Sequence, residues 1–149
     1  MVPLAKVLVV DDDQPTREFI VEALEDEGYL VRAADNAAHA FALVEAEHYD
    51  VILLDLRMPG TDGAELFRLI YERALATIPI ILMTADNKAM QELITQGVKF
   101  ILLKPFDLDT LLNCVAEALH APQDTQEQGI PLPATRDLAT APEDVHICT

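Results

Sequence analysis

The chain has 149 residues, about half of them hydrophobic, and its 26 acidic against 10 basic side chains give a formal net charge of -16. That length suits one domain with a full core, and that charge opposes non-specific attraction to phosphate backbones or anionic lipid, so direct nucleic-acid binding is not expected. No apolar run reaches the roughly 20 residues that span a bilayer, and the N-terminus lacks a basic-then-apolar signal pattern, which together predict no membrane segment and a cytoplasmic location.

In chain order, Lys6 to Val10 (KVLVV) predicts a short strand that runs into Asp11, Asp12 and Asp13. Pro15 then falls in the first turn of a helix, where a missing amide hydrogen costs little; Phe19, Ile20, Ala23 and Leu24 form its apolar stripe, and Gly28 stops it. Tyr29 to Ala33 predicts a second strand, and Asn36 caps a helix running to about Glu47 with Ala37, Phe41 and Val44 on one face. Val51 to Leu54 is apolar without alternation, as in a strand covered on both faces, and it delivers Asp55 to its end before Leu56, Arg57 and Met58 lead into a Pro59-Gly60 turn.

A helix is expected from about Asp62 to Ala74, buried through Leu66, Phe67, Leu69 and Ile70. Ile78 to Met83 is a fourth strand ending at Thr84, with Pro79 tolerated only near its start. Asp86 caps a helix that carries Ala89, Met90, Leu93 and Ile94 and ends at Gly97. Phe100 to Leu103 is the fifth strand, broken by Lys104-Pro105, and Asp107 to His120 is a last helix with Leu108, Leu111, Leu112, Val115 and Leu119 in one stripe. Five strands alternating with five helices predict an α/β fold, a parallel sheet with helices on both faces joined by right-handed crossovers. From Ala121 the segment is punctuated by Pro122, Pro131, Pro133 and Pro142 and has no clear periodicity, so residues 1–120 read as the domain and 121–149 as a flexible tail or linker. Cys114 and Cys148 show no metal-like spacing and read as free thiols; His39, His48, His120 and His146 form no ligand pattern.

In a parallel sheet every C-terminal strand end lies on one edge, so Asp11 to Asp13, Asp55, Thr84 and Lys104 can meet in one crevice although far apart in sequence. Clustered carboxylates favour a bound cation, and all-oxygen ligation suits Mg²⁺. A carboxylate nucleophile, a hard cation, a hydroxyl and an ammonium are the parts needed for phosphoryl transfer to an aspartate, with Asp55 the nucleophile candidate. Simpler readings exist: Asp55 can open a turn, Asp13 sits where a helix cap belongs, Thr84 can be a local cap, and a lone Lys104 is more often solvated.

The segments VLVVDDD, DVILLDLRMPGTDG, ILMTA and LLKPF, in this order, resemble a response-regulator receiver domain of two-component signalling over residues 4 to about 120. The resemblance implies a flavodoxin-like sheet of strand order 2-1-3-4-5. It also implies that Asp55 accepts the phosphoryl group from a histidine kinase or phosphotransfer protein, and that Mg²⁺ is held by Asp12, Asp55 and the backbone carbonyl of Arg57, with Asp11 acting through a water on the metal. By the same resemblance Thr84 and Lys104 contact the phosphoryl oxygens, and the Lys104-Pro105 peptide is cis. A C-terminal effector domain outside this chain and a homodimer are left open by it. Two departures stand out: Ile101 occupies a place where the family often carries an aromatic switch residue, with Phe100 beside it, and Asp107 to His120 contains no Lys or Arg for the charged dimer pairing of many DNA-binding members.

Two other readings compete. Asp11 and Asp13 also satisfy a D-x-D pattern, which would make the chain an aspartate-nucleophile phosphatase of haloacid dehalogenase type with Asp11 as nucleophile. The third reading is an interaction module of receiver fold that no longer takes phosphate, against which the intact acidic cluster, Thr84 and Lys104 weigh.

Overall fold

The computed structural model describes residues 5–58, 61–62, 78–85, 88, 99–120 and 145–148. Its strands are β1 (Lys6–Val10), β2 (Leu30–Ala34), β3 (Val51–Asp55), β4 (Arg57–Met58), β5 (Thr61–Asp62), β6 (Ile80–Thr84), β7 (Phe100–Leu103) and β8 (His146–Cys148), and its described helices are α1 (Gln14–Asp26), α2 (Ala37–Ala46) and α3 (Leu108–His120). Helices expected over 62–74 and after Asp86 lie outside the described residues, apart from Asp62, which belongs to the short β5, and Lys88, which is helical.

The main sheet has the order β2-β1-β3-β6-β7-β8, and every neighbouring pair is parallel. Its first five members are the five predicted strands, so the order 2-1-3-4-5 holds and β8 is added beyond it. Alternation along each strand sends side chains to two cores. Leu8, Val10, Ile52, Leu54, Ile80, Leu82 and Ile101 meet Ala40 of α2 on one face, with Ala37, Leu43 and Val44 packed beside it. On the other face Val7, Val9, Val51, Leu53, Ile81, Met83 and Leu102 meet Ile20 and Leu24 of α1 and Leu111, Cys114 and Val115 of α3. Each fully buried aliphatic side chain contributes roughly 1.5–3 kcal/mol, and β3, in the middle of the sheet, buries all five of its residues.

Local sequence explains the helix ends. Asp13 caps α1 by accepting from the Thr16 amide at 3.1 Å, and Gly28 closes the turn after it at φ 97°, with open space where a Cβ would stand, so the constraint there is conformational. Asn36 accepts from the His39 amide at 2.8 Å, and Asp107 from the Thr110 amide at 2.8 Å, which starts α2 and α3. At the start of β1, away from the aspartates, Glu47 takes contacts from Arg32 (3.3 Å), Lys6 (3.0 Å) and the Tyr49 hydroxyl (3.0 Å). Hydrogen bonds from Arg32, Lys6 and Tyr49 hold the Glu47 carboxyl down at about 2, while burial first and Glu47 second push the Tyr49 phenol up to about 12.

Several expectations are corrected. Phe19 and Leu108, placed on buried stripes, are exposed, whereas Cys114 and Ala118 complete the buried face of α3. The predicted strands at Tyr29 and Ile78 start later, at Leu30 and Ile80. Cys114 and Cys148 are not free thiols but a disulfide, with Cα atoms 5.9 Å apart. Its physical basis is β8: pairing Phe100 with His146 and Leu102 with Cys148 lays a strand from the far end of the chain against α3, a contact that a sequence separation of 34 conceals.

Candidate functional site

Four strand ends meet at one edge of the sheet. The β1–β3 register pairs Val10 with Leu54, so Asp11 and Asp55 follow side by side; the β3–β6 register pairs Asp55 with Met83, which leaves Thr84 one residue beyond. Thr84 in turn pairs with Leu103, and the Lys104 amide donates to the Thr84 carbonyl at 2.9 Å. Asp11, Asp55 and Thr84 are all buried, and the four strand residues before each of them are apolar and buried. Burying such groups is costly unless they are paired, and each pairing observed here draws on another strand end or the loop after one.

The Lys104 ammonium lies 3.1 Å from Asp55 Oδ1 and 3.3 Å from Asp11 Oδ2, bridging the first and third strands from the fifth predicted one. Asp11 also accepts from the Asp13 amide at 2.9 Å, and its carbonyl accepts from Arg17 at 2.8 Å. Arg17 is absent from the residues that the motifs single out; a cation on the first turn of α1, six residues past Asp11, is the signal by which the sequence could reveal it. Burial alone would depress the Lys104 ammonium, but the charges of Asp55 and then Asp11, with their hydrogen bonds, outweigh it and hold its pKa above the usual lysine value.

Asp11, Asp12 and Asp55 each place a carboxylate oxygen within 4.8 Å of the others'. Three carboxylates against one ammonium form an all-oxygen donor set that fits a hard divalent cation, Asp12 being the exposed member of the three. Asp13 stands apart from this set. Its carboxylate is committed to the cap, accepting from the Thr16 hydroxyl and amide, and those bonds, the hydroxyl's first, lower its pKa. Arg57 lies two residues past Asp55 in β4, whose backbone pairs antiparallel with β5. The Lys104-Pro105 peptide is cis, as the resemblance implied. Beside the carboxylates a cleft of about 480 Å³ is lined by Pro15, Thr16, Phe19, Ala85, Lys104, Pro105 and Phe106, which accounts for the exposed Phe19.

Ile101 is fully buried between Leu82 of β6 and Ile147 of β8. The residue at the departure from the family pattern is therefore a core residue with a strand on either side.

Residues 7–116 match the family model for the response regulator receiver domain. Among curated proteins, the chain is 41% identical over 105 residues to the phosphate regulon transcriptional regulatory protein PhoB of Pseudomonas aeruginosa, covering 67% of this chain and 45% of that protein. It is 35% identical over 141 residues to the DNA-binding transcriptional regulator NtrC of Escherichia coli, covering 91% of this chain and 30% of that one, and 39% identical over 115 residues to the CAI-1 autoinducer sensor kinase/phosphatase CqsS of Vibrio cholerae, covering 74% and 17%. The chain thus spans about half or less of the length of these relatives. The chemotaxis response regulator CheY4 of Vibrio cholerae superposes with a TM-score of 0.73 at 32% identity, covering 78% of this chain and all of that one. Motif order, strand order, the converging aspartates and these matches agree, and the chain belongs to the response-regulator receiver domain family.

Proposed function

We propose that Asp55 is the phosphoacceptor, taking its phosphoryl group from a histidine kinase or phosphotransfer protein. The observation that carries this reading is the Lys104 bridge, 3.1 Å from Asp55 and 3.3 Å from Asp11, which sets an ammonium beside a buried carboxylate at the end of a central strand. A carboxylate oxygen of Asp55 attacks phosphorus as the bond to the donor breaks; Lys104 then turns to the phosphoryl oxygens, and the Thr84 hydroxyl donates to another. Asp11, Asp12, Asp55 and the Arg57 carbonyl would hold Mg²⁺, which supplies charge neutralisation on the transferring group.

The competing D-x-D reading requires Asp13 to serve the reaction centre, and the cap bonds from Thr16 argue against it. Turnover of its own phosphoryl group makes the domain regulatory rather than a general phosphatase. The apolar cleft with exposed Phe19 supports docking of the donor protein beside Lys104. Residues 1–120 are read as the receiver unit, and an effector, where one exists, as a further domain like the remainder of the longer relatives.

A small phosphodonor with Mg²⁺ should label the wild type at one equivalent, and Asp55→Asn should abolish labelling. Equal labelling of Asp55→Asn would overturn the assignment.

A further inference from the structure

The seam between α3 and β8 gathers four metal-ligating side chains that the acidic site does not use. Cys114 and Glu117 stand three residues apart on α3 and so share a face of the helix; His146 and Cys148 stand two apart on β8 and so share a side of the strand. Paired to β7 at the sheet edge, β8 packs against α3 and brings the two pairs together. Donor atoms of Glu117, His146 and Cys148 lie within 4.8 Å of one another, Cys148 is bonded to Cys114, and His146 Nε2 touches Glu117 Oε1. Both cysteines are buried and the other two side chains are about half exposed, which leaves an ion an open side by which to enter.

We propose that, with the cysteines reduced, Cys114, Glu117, His146 and Cys148 form a tetrahedral site for a borderline-soft divalent cation of the Zn²⁺ class. Two sulfurs, one imidazole and one carboxylate are a donor set of this class, unlike the all-oxygen set at Asp11, Asp12 and Asp55, so the two sites select different ions. In a tetrahedral site with Zn–S bonds of about 2.3 Å the two sulfurs stand roughly 3.8 Å apart, a separation that side-chain rotation can supply without moving the backbone. A dithiol reductant delivers two electrons and two protons to the Cys114–Cys148 bond, giving two thiols while the dithiol closes to its own disulfide. The cation then binds both sulfurs as thiolates and releases those two protons. Disulfide and metal are alternatives, and each fastens β8 to α3.

The test uses the full chain, reduced with a phosphine and freed of metal, and titrated with Co²⁺ as an optical probe. One equivalent should produce a thiolate-to-cobalt charge-transfer band and tetrahedral visible bands, both bleached by Zn²⁺; the carboxylate site has no sulfur and cannot give the first. The oxidised chain should give no charge-transfer band. His146→Ala, a half-exposed change, should weaken binding by no less than the roughly 10–100-fold that loss of an outer-shell partner costs, and Cys148→Ser should remove the site. A reduced chain without the charge-transfer band, or His146→Ala binding as tightly as wild type, would overturn the proposal.

Discussion

The acidic cluster and the cysteine seam are built alike and announce themselves differently. Each gathers polar side chains from elements far apart in the chain: Asp11, Asp55 and Lys104 in one, Cys114 and His146 to Cys148 in the other. The first lies where every strand of a parallel sheet ends, so recognising the strands was enough to place it. The second depends on β8, three residues long, whose HIC sequence has neither the length nor the apolar run that marks β3, β6 and β7. Convergence dictated by topology is readable in a sequence, whereas convergence that depends on one added edge strand is not.

The difference can be sharpened by removing what holds each region together. The largest effect is expected at the acidic cluster: Lys104→Ala should slow labelling by a small phosphodonor by about 100-fold or more, the scale for losing one preorganised charge-stabilising donor, while the chain stays folded. A rate within a few-fold of wild type would show that Lys104 only neutralises Asp11 and Asp55. At the seam, reduction in the absence of metal should lower unfolding free energy by about 3–4 kcal/mol, from the loop-closure entropy of a 34-residue separation, and leave labelling unchanged. Loss of labelling on reduction would couple two regions that the account keeps apart.

Asp12 and Asp13 divide metal binding from capping. Asp12→Ala should weaken Mg²⁺ binding, whereas Asp13→Ala should leave Mg²⁺ affinity in place and lower the thermal midpoint through loss of the α1 cap. The reverse pattern in a metal titration would return the D-x-D phosphatase reading. A smaller effect should come from the cleft beside Lys104: Phe19→Ala should slow transfer from a protein donor while sparing transfer from a small one, and equal loss with both would contradict docking at Phe19. The smallest concerns pH. Glu47 is held at about 2 against an ordinary 4.5, so the stability it contributes is present above 4.5 and lost as pH falls from 4.5 toward 2. Urea midpoints across that interval should fall more for wild type than for Glu47→Gln, and parallel curves would contradict the network.

Much of the fold was legible because Val7 to Val10, Val51 to Leu54 and Ile80 to Met83 are continuous apolar runs that each lead into a polar residue, and the caps at Asp13 and Asn36 follow from residue chemistry alone. The buried stripes were less legible. Phe19 fits the apolar pattern of α1 and yet lines a cleft beside Lys104, because a helical stripe wider than its contact leaves an edge exposed. On α3 the apolar pattern favours Leu112 over Cys114, yet Cys114 is the buried one, since a small thiol is a weak apolar signal although free cysteine is among the most buried residue types. Ile101 was legible as a departure from the family pattern, but its burial against Ile147 depends on β8. With a branched side chain stiff at χ1 and a strand on each side, it is poorly suited to a rotamer switch.

Phosphorylation of Asp55 is tested by locating the phosphoryl group itself. After labelling with a small phosphodonor, borohydride reduction converts an aspartyl phosphate to homoserine, and peptide mass mapping reads its position. Homoserine is expected at position 55 alone; homoserine at position 11, 12 or 13 would contradict phosphorylation of Asp55.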